Sequence, residues 1–271
     1  MKGRVLVIAG SDSGGGAGIQ ADIKTITALD GFAMTAITAL TAQNTLGVEA
    51  VWPVPESFIT RQIRVVLDDL GADCVKIGMV GDVPAIQAVL AALQDLSADI
   101  PVVLDPVMVA KGGHALLADK AVGKLRDGLV PLAAIVTPNL PEAEALIGQP
   151  VRTVADMHEA AAEIGRMGPR AVLLKGGHLD SDIITDVLWT QGLVESFSDP
   201  RIQTAHTHGT GCTTASAIAA GLAQGMNLRD AVIRARHYVR AAIAAAPGYG
   251  KGHGPLNHAV TVDTSRIDTQ T

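Results

Sequence analysis

Short apolar runs rich in β-branched residues alternate along this chain with longer alanine-rich stretches of helical spacing, and that rhythm restricts the fold more than any other feature. Arg4–Ala9, Ala72–Ile77, Pro101–Leu104, Ala133–Val136 and Ala171–Leu174 read as buried strands. Ala17–Leu29, Pro84–Leu96 and Ala155–Met167 read as helices; Asp82 opens the second, and Thr153 and Asp156 have capping-box spacing before the third. Ile183–Leu188 and Leu193–Phe197 form a hairpin pattern around Gln191-Gly192. Two late helices follow, Cys212–Gln224 and Leu228–Ala245, with Asn227 as the N-cap of the second. Strands that are apolar on both faces and separated by helices predict an α/β fold: a single domain with a mostly parallel central sheet and helices on both faces. No Pro/Ser-rich linker and no fixed-period repeat divides the chain. The domain is expected over residues 1–260, with 261–271 a polar, loosely held tail. Ala33–Thr41 stays open between strand, favoured by Thr35, Ile37 and Thr38, and helix, favoured by its alanines.

Composition removes several function classes. Aromatic residues make up 3% of the 271 and the formal net charge is −6, so stacking platforms and general attraction to nucleic acid are not expected. The two cysteines, Cys74 and Cys212, are too few for a disulfide framework or a thiolate metal site. No stretch has membrane-spanning length, and Val5–Ala9 is too short for a signal-peptide core. The expectation is a reduced, cytoplasmic protein without nucleic-acid or membrane partners.

Ligands of parallel sheets gather at the carboxyl ends of the strands, so the segments after the strands carry the chemistry. Gly10-Ser11-Asp12-Ser13-Gly14-Gly15-Gly16-Ala17-Gly18 links the first strand to a helix. It is either a ligand loop or a flexible connection; Gly16–Ala21 also fits the dinucleotide form GxGxxA, although no acidic residue ends the next strand. His208-Gly209-Thr210-Gly211-Cys212 opens an alanine-rich helix, where successive N–H groups can form an anion nest. Cys212 lies in the first turn, where a helix terminus lowers a thiol pKa. It is either a proton acceptor or a structural cysteine, while Cys74, inside an apolar strand, is structural. Lys175-Gly176-Gly177 is a strand-end lysine and no Walker A sequence. Asp105, Asn139 and Glu142 offer oxygen ligands of the kind Mg²⁺ prefers, but Asn-x-x-Glu is equally a cap spacing. No HxxxH or HExxH pair points to zinc. Gly248–Leu256 is a glycine-rich loop, a lid or plain surface.

Taken together and in order, Ala9–Asp22, Thr41–Thr45, Lys76–Met79, Asp105–Met108, Thr137–Ala143, Leu174–His178, Thr207–Thr213 and Gly254–His258 resemble the hydroxymethylpyrimidine/phosphomethylpyrimidine kinases of thiamine biosynthesis, in the ribokinase-type superfamily. The resemblance spans residues 9–258. It implies a ribokinase-like domain that uses ATP and Mg²⁺ to phosphorylate an aminopyrimidine alcohol and then its monophosphate. By position, Cys212 matches the active-site cysteine, and the N–H groups of Gly209, Thr210, Gly211 and Cys212 match the anion hole. Gln43 matches the residue that hydrogen-bonds the aminopyrimidine; Asp22, Gly10, Met79 and Val107 match other parts of that pocket. Asn139 and Glu142 match the motif handling Mg²⁺ and ATP phosphates, with Asp105, Lys175 and Thr207 on the nucleotide side and Asp105 also a metal candidate. The resemblance further implies a homodimer. His206 and Thr214 depart from the pattern, where relatives often carry Asn and Leu. The competing readings are a pyridoxal or pyridoxine kinase of the same superfamily, an NAD(P)-dependent oxidoreductase suggested by GxGxxA, and a catalytically silent heterocycle-binding module.

Overall fold

Strand β1 (Arg4–Asp12) is a buried apolar run whose alternate side chains enter two different cores: Leu6 and Ile8 on one face, Val5, Val7 and Ala9 on the other. The structure, a computed structural model, describes residues 1–109, 113 and 116–266. After β1 come helix α1 (Gly18–Ala28), strands β2 (Phe32–Asn44) and β3 (Gly47–Pro53), helix α2 (Glu56–Asp69), β4 (Cys74–Ile77), α3 (Val83–Ala92), β5 (Val102–Leu104), α4 (Asp119–Lys124), β6 (Ile135–Val136), α5 (Leu140–Ile147), α6 (Val154–Gly165), β7 (Ala171–Leu174), β8 (Ile183–Thr190), β9 (Leu193–Pro200), α7 (Thr210–Ala223) and α8 (Leu228–Ala244). Among the described residues the strands form one sheet in the order β3-β2-β1-β4-β5-β6-β7-β8-β9. From β2 to β7 neighbours run parallel; β3 at one edge and the β8–β9 hairpin at the other are antiparallel. Helices α2 to α6 cover one face and α1, α7 and α8 the other. This is the expected single α/β domain with helices on both faces.

Local chemistry sets the element ends. Asp82 caps α3 by accepting the Ala85 N–H (2.9 Å), and Thr153 with Asp156 forms the capping box of α6. Asn227 accepts the Asp230 N–H (2.9 Å) at the start of α8. Gln191 and Gly192 both have positive φ (48° and 92°), the turn geometry that matches the twist of a two-residue hairpin. The ambiguous Ala33–Thr41 is strand: it pairs in parallel with β1 over most of its length, and sheet pairing overrides the helix propensity of its alanines. β1 runs on through Gly10–Asp12, three residues past the apolar run, with an irregular register after Ala9. Strand β3 and helices α2 (with Ile59 and Ile63 buried) and α4 have no counterpart in the sequence reading, where α5 appears only as a cap spacing. Of the expected tail, Thr261 donates its hydroxyl to the Ala28 carbonyl (2.6 Å) and Thr264–Arg266 forms a short 3₁₀ turn; residues 267–271 lie outside the described residues. None of the described helices is long and apolar enough to cross a membrane.

Candidate active site

The strand order changes direction at β1: the chain passes to β2 on one side and to β4 on the other. Such a switch point opens a crevice beyond the carboxyl ends of the strands. Here the crevice is a cavity of about 1110 Å³ that runs along the whole parallel edge. At one end it is walled by Gly10, Ser11, Asp12 and Gln43, at the ends of β1 and β2, and by Met79 and Val107, just past β4 and β5. At the other end stand Gly177, Ile184, Asp186, Arg201, Gln203 and Val239, from β7, β8, β9 and α8. Between them lie Asp105, Asn139, Glu142, Lys175, Thr207 and the first turn of α7.

That first turn is held open by glycine. Gly209 is the N-cap of α7 at φ 85°, and no side chain caps the helix. A Cβ on Gly209 would meet the Gly16 carbonyl oxygen at 1.8 Å, so only glycine fits. The opening N–H groups of a helix lack intrahelical acceptors. Thr210 spends its own on the Thr207 carbonyl, at a long 3.4 Å. The remaining N–H groups of the turn carry the positive end of the helix dipole into the cavity. Gly211 lies directly over a charge pair, since a Cβ there would meet Lys175 Nζ at 3.2 Å and Asp105 Oδ2 at 3.6 Å.

Cys212 is half-buried and lines the cavity. Its titration contradicts the expectation drawn from the helix terminus. Burial pushes the thiol up to about 12, the nearby Lys76 opposes this only in part, and Asp22 and Asp105 push it further up. The Gly18 backbone N–H works the other way and lowers it. The dipole is outweighed because the sulfur sits in protein between two carboxylates. Cys74 is fully buried in β4 and its thiol is also raised by burial, as a structural cysteine should be.

Two acidic residues and a lysine occupy the middle of the cavity. Asp105 accepts hydrogen bonds from Lys175 Nζ (3.0 Å) and Thr137 Oγ1 (3.1 Å). Asn139 and Glu142 do form the capping box of α5: Asn139 Oδ1 accepts the Glu142 N–H (2.9 Å) and Glu142 Oε2 accepts the Asn139 N–H (2.8 Å). Capping does not remove Glu142 from the cavity, which it lines while 5% exposed. Burial raises its carboxyl to about 7; Lys175 opposes the rise and Asp105 adds to it. Among the described residues no group of three or more His, Cys, Asp or Glu could hold a metal ion alone. Two carboxylates facing a cavity nonetheless suit Mg²⁺, which takes few protein ligands and draws the rest from water and phosphates.

The first glycine-rich loop behaves differently from the second. Asp12 accepts the N–H groups of Gly14 (2.8 Å), Gly16 (3.1 Å) and Ala17 (2.8 Å). The amides of the GxGxxA stretch are therefore engaged inside the protein and offer no pyrophosphate nest. The loop still lines the cavity through Gly10, Ser11, Asp12, Ala17 and Gly18. The third stretch, Gly248–Leu256, is docked onto the β2–β3 turn: the His253 N–H donates to the Thr45 carbonyl (2.9 Å), and the Gly254 carbonyl accepts the His208 N–H (3.1 Å).

Every residue singled out in the sequence for the site lines this one cavity except Asp22. Asp22 is fully buried beneath it, where its carboxylate receives Lys76 Nζ at 3.0 Å on both oxygens and Ser216 Oγ at 2.6 Å. It can reach a ligand only through Lys76, which does border the cavity. Burial works against the charge on Lys76, and the carboxylates of Asp22 and Asp105 outweigh it and hold the ammonium charged. Three functional side chains escaped the sequence reading: Asp12, Lys76 and His208. A lysine inside the apolar strand Cys74–Ile77 was the available signal, since a lysine is almost never fully buried without a partner. The departures His206 and Thr214 are both close by: a Cβ on Gly254 would meet His206 Nδ1 at 2.3 Å, and Thr214 Oγ1 bonds the Thr210 carbonyl (2.8 Å).

Comparison with known proteins follows the same lines. A family model described as phosphomethylpyrimidine kinase matches residues 12–257. The chain is 49% identical to the thiamine biosynthesis bifunctional protein ThiED of Geobacter sulfurreducens, over 98% of its own length but 54% of that longer protein. It is 46% identical to the hydroxymethylpyrimidine/phosphomethylpyrimidine kinase of Bacillus subtilis, over 94% of each. Among solved structures, an ADP complex of Bacillus subtilis pyridoxal kinase superposes with a TM-score of 0.89 at 36% identity, covering 97% of this chain and 100% of that one.

Proposed function

The chain belongs to the phosphomethylpyrimidine kinase family, and on that premise we propose that it transfers phosphoryl groups from ATP to 4-amino-5-hydroxymethyl-2-methylpyrimidine, giving the monophosphate and then the diphosphate for thiamine biosynthesis. The observation that carries this reading is the uncapped first turn of α7, set over the Lys175–Asp105 pair in the middle of the cavity.

On this reading the acceptor takes the cavity end at β1, β2 and β4, and the nucleotide takes the end at β6 to β9. Gln43, Gly10, Met79 and Val107 wall the first; Lys175, Asn139, Thr207 and Asp105 lead to the second. The acceptor hydroxyl oxygen bonds to the γ-phosphorus as the bridging oxygen leaves with ADP. The migrating group spreads its negative charge over its oxygens, and the N–H groups of Gly209, Gly211 and Cys212 with the Lys175 ammonium stabilise that charge. Thr210 shapes the turn through its hydroxyl, which donates to the Thr207 carbonyl at 2.8 Å. Glu142 and Asp105 would hold Mg²⁺, which neutralises phosphate charge when bound. Cys212 takes up the hydroxyl proton in the first transfer. In the second the acceptor is already an anionic phosphate oxygen and needs no base. We also infer a homodimer, supported by the exposed pair Leu40 and Trp52 (47% and 73%), matched across β2 and the edge strand β3, and a cytoplasmic enzyme.

A coupled ADP-release assay with this pyrimidine and ATP-Mg²⁺, with products separated into mono- and diphosphate, tests the reading. Both products are expected. Pyridoxal kinase is the second reading, favoured by the pyridoxal kinase superposition at 36% identity. Efficient phosphorylation of pyridoxal with no pyrimidine diphosphate formed would replace the first reading by it.

A further inference from the structure

At the acceptor end a chain of polar groups runs through the protein behind Gln43. Asp12 and His208 are 2% and 7% exposed. The His208 Nε2 lies 2.8 Å from Asp12 Oδ2, and the same nitrogen lies 3.4 Å from the Gln43 amide. As placed, the amide nitrogen is the end toward His208 and the amide oxygen lies 3.1 Å from Thr41 Oγ1, whose single hydroxyl proton can go to that oxygen or to the Ser11 carbonyl at 2.9 Å.

The donors and acceptors in this chain favour the opposite amide orientation. Burial works against ionising Asp12, but it accepts three loop N–H groups, from Gly14, Gly16 and Ala17, which favour the carboxylate. An ionised carboxylate only accepts, so His208 Nε2 carries a proton. That proton faces the Gln43 amide as well as Asp12, and an amide NH₂ turned toward it would oppose donor to donor. The two ends of an amide are alike in shape, and only their hydrogen bonds tell them apart. Turned over from that placement, the amide sets its oxygen toward His208 and its nitrogen toward Thr41, whose hydroxyl then donates to the Ser11 carbonyl and accepts from the amide. Each end of the amide keeps one further group for a ligand: a lone pair on the His208 side and an N–H on the Thr41 side. His208 cannot drift from this place, because its own N–H is tied to Gly254 and a Cβ on Gly16 would meet its ring at 2.5 Å.

We propose that the Asp12–His208 pair is a positioning device that locks the Gln43 amide in one orientation and so selects a ring edge bearing a donor on the His208 side next to an acceptor on the Thr41 side. An exocyclic amine beside a ring nitrogen has that order. A ring carbonyl beside a ring N–H has the reverse. The inference rests on Gln43 being the residue that meets the ring, as in the proposed function, and it adds what decides which way round the ring is read.

The test compares kcat/KM for the aminopyrimidine alcohol with that for its 4-oxo counterpart, in which the amine is replaced by a carbonyl and the neighbouring ring nitrogen carries hydrogen. The native enzyme should prefer the amine strongly, since unpaired polar groups in a recognition site cost about 10⁴-fold or more in selectivity. His208→Phe frees the amide to turn over and should reduce that preference at least about tenfold, mainly through KM of the ring substrate, with KM for ATP unmoved. His208→Gln, which restores an N–H donor, should recover part of it. A His208→Phe enzyme with native KM for ATP and undiminished preference overturns the inference. Gln43→Ala separates the two levels: if it too leaves the preference intact, Gln43 does not meet the ring and the underlying reading falls with the inference. Nitrogen NMR of the native protein gives an answer independent of any variant. The ring proton of His208 must reside on Nε2 at neutral pH, and a neutral ring protonated only on Nδ1 overturns the proposal.

Discussion

Two glycine-rich loops of similar appearance precede helices on the same face of the sheet, and they do opposite things. In the first, between β1 and α1, Asp12 gathers three of the loop N–H groups into its own carboxylate. In the second, before α7, no side chain caps the helix and the residues of its opening turn line the cavity. Glycine content alone therefore does not mark an anion site. What decides is whether the protein already supplies the negative charge. The first loop carries its own anion and is a fixed wall; the second waits for the charge of a ligand. The two interlock, because Gly209 packs on the Gly16 carbonyl and His208 on Asp12, so the closed loop is the mould in which the open one is cast.

The contact at Gly209 is where this comparison breaks most readily. Gly209→Ala forces a Cβ to within 1.8 Å of the Gly16 oxygen and keeps a positive φ of 85°. Such backbone strain costs about 1–3 kcal/mol even without a clash, and the displaced amides should slow both transfers by roughly 10³-fold. Single-turnover rates and thermal melting measure the two effects. Near-native turnover in this variant would mean that the α7 amides do not hold the migrating group.

Cys212→Ala comes next and separates the cradle from the thiol beside it. The first transfer should slow by roughly 10²-fold, the lower end of what a general base contributes, with the second transfer nearly unchanged. The pH profile carries the sign. With the thiol raised to about 12, its basic form grows about tenfold per pH unit across the neutral range. The first-step rate should therefore climb between about pH 6 and 9 while the second stays flat. Equal losses in both steps, or a first step that levels off near neutrality, would make Cys212 part of the wall and not the base.

Asp12→Asn tests the closed loop. An asparagine can accept from the loop amides through one atom only, and it turns a donor toward the others. The loss of charge-assisted bonds in a buried setting should cost about 2–3 kcal/mol of stability. The sign with pH follows from the lowered Asp12 carboxyl. Its contribution is present above the unfolded-state pKa and is lost as pH falls through the folded value, so native and variant should converge in strong acid. Denaturant titrations at neutral and acid pH measure this. Equal stability at neutral pH would show that Asp12 does not organise the loop.

The contrast between the loops also explains what could be read from the sequence. Most strands and helices were legible because their apolar periods and caps are local: Asp82, Thr153 and Asn227 each act within three residues. The cavity residues were legible as strand-end segments. The role of Asp12 was hidden because its partner His208 is 196 residues away. Lys76 and Asp22 were separated in the same way, by 54 residues. The thiol pKa was misjudged because the helix terminus is visible in sequence, while the burial that outweighs it is a property of packing. Strand β3 and helix α2 were missed because their exposed apolar residues, Trp52 and Phe58 among them, blur the alternation on which a strand or amphipathic helix is recognised.

Gly211→Ala is the finest probe of the open loop, because it sets activity against stability. Gly211 is not among the residues with positive φ, and the nearest neighbours of its missing Cβ would be Lys175 Nζ at 3.2 Å and the Asp105 carboxylate oxygens at 3.6 and 3.9 Å. Alanine in a helix gains up to about 1 kcal/mol over glycine, so the melting temperature should hold or rise. The lysine ammonium must give way by a few tenths of an ångström, and misplacing a charge-stabilising group at a reacting centre costs up to about 10²-fold. A loss of roughly tenfold in kcat, with unchanged KM for the acceptor, is expected. If turnover is native and stability rises, the glycine is dispensable and the helix start is open only by default. If turnover falls while the fold gains stability, that position keeps glycine for the approach of Lys175 to the ligand, at a small expense to the helix.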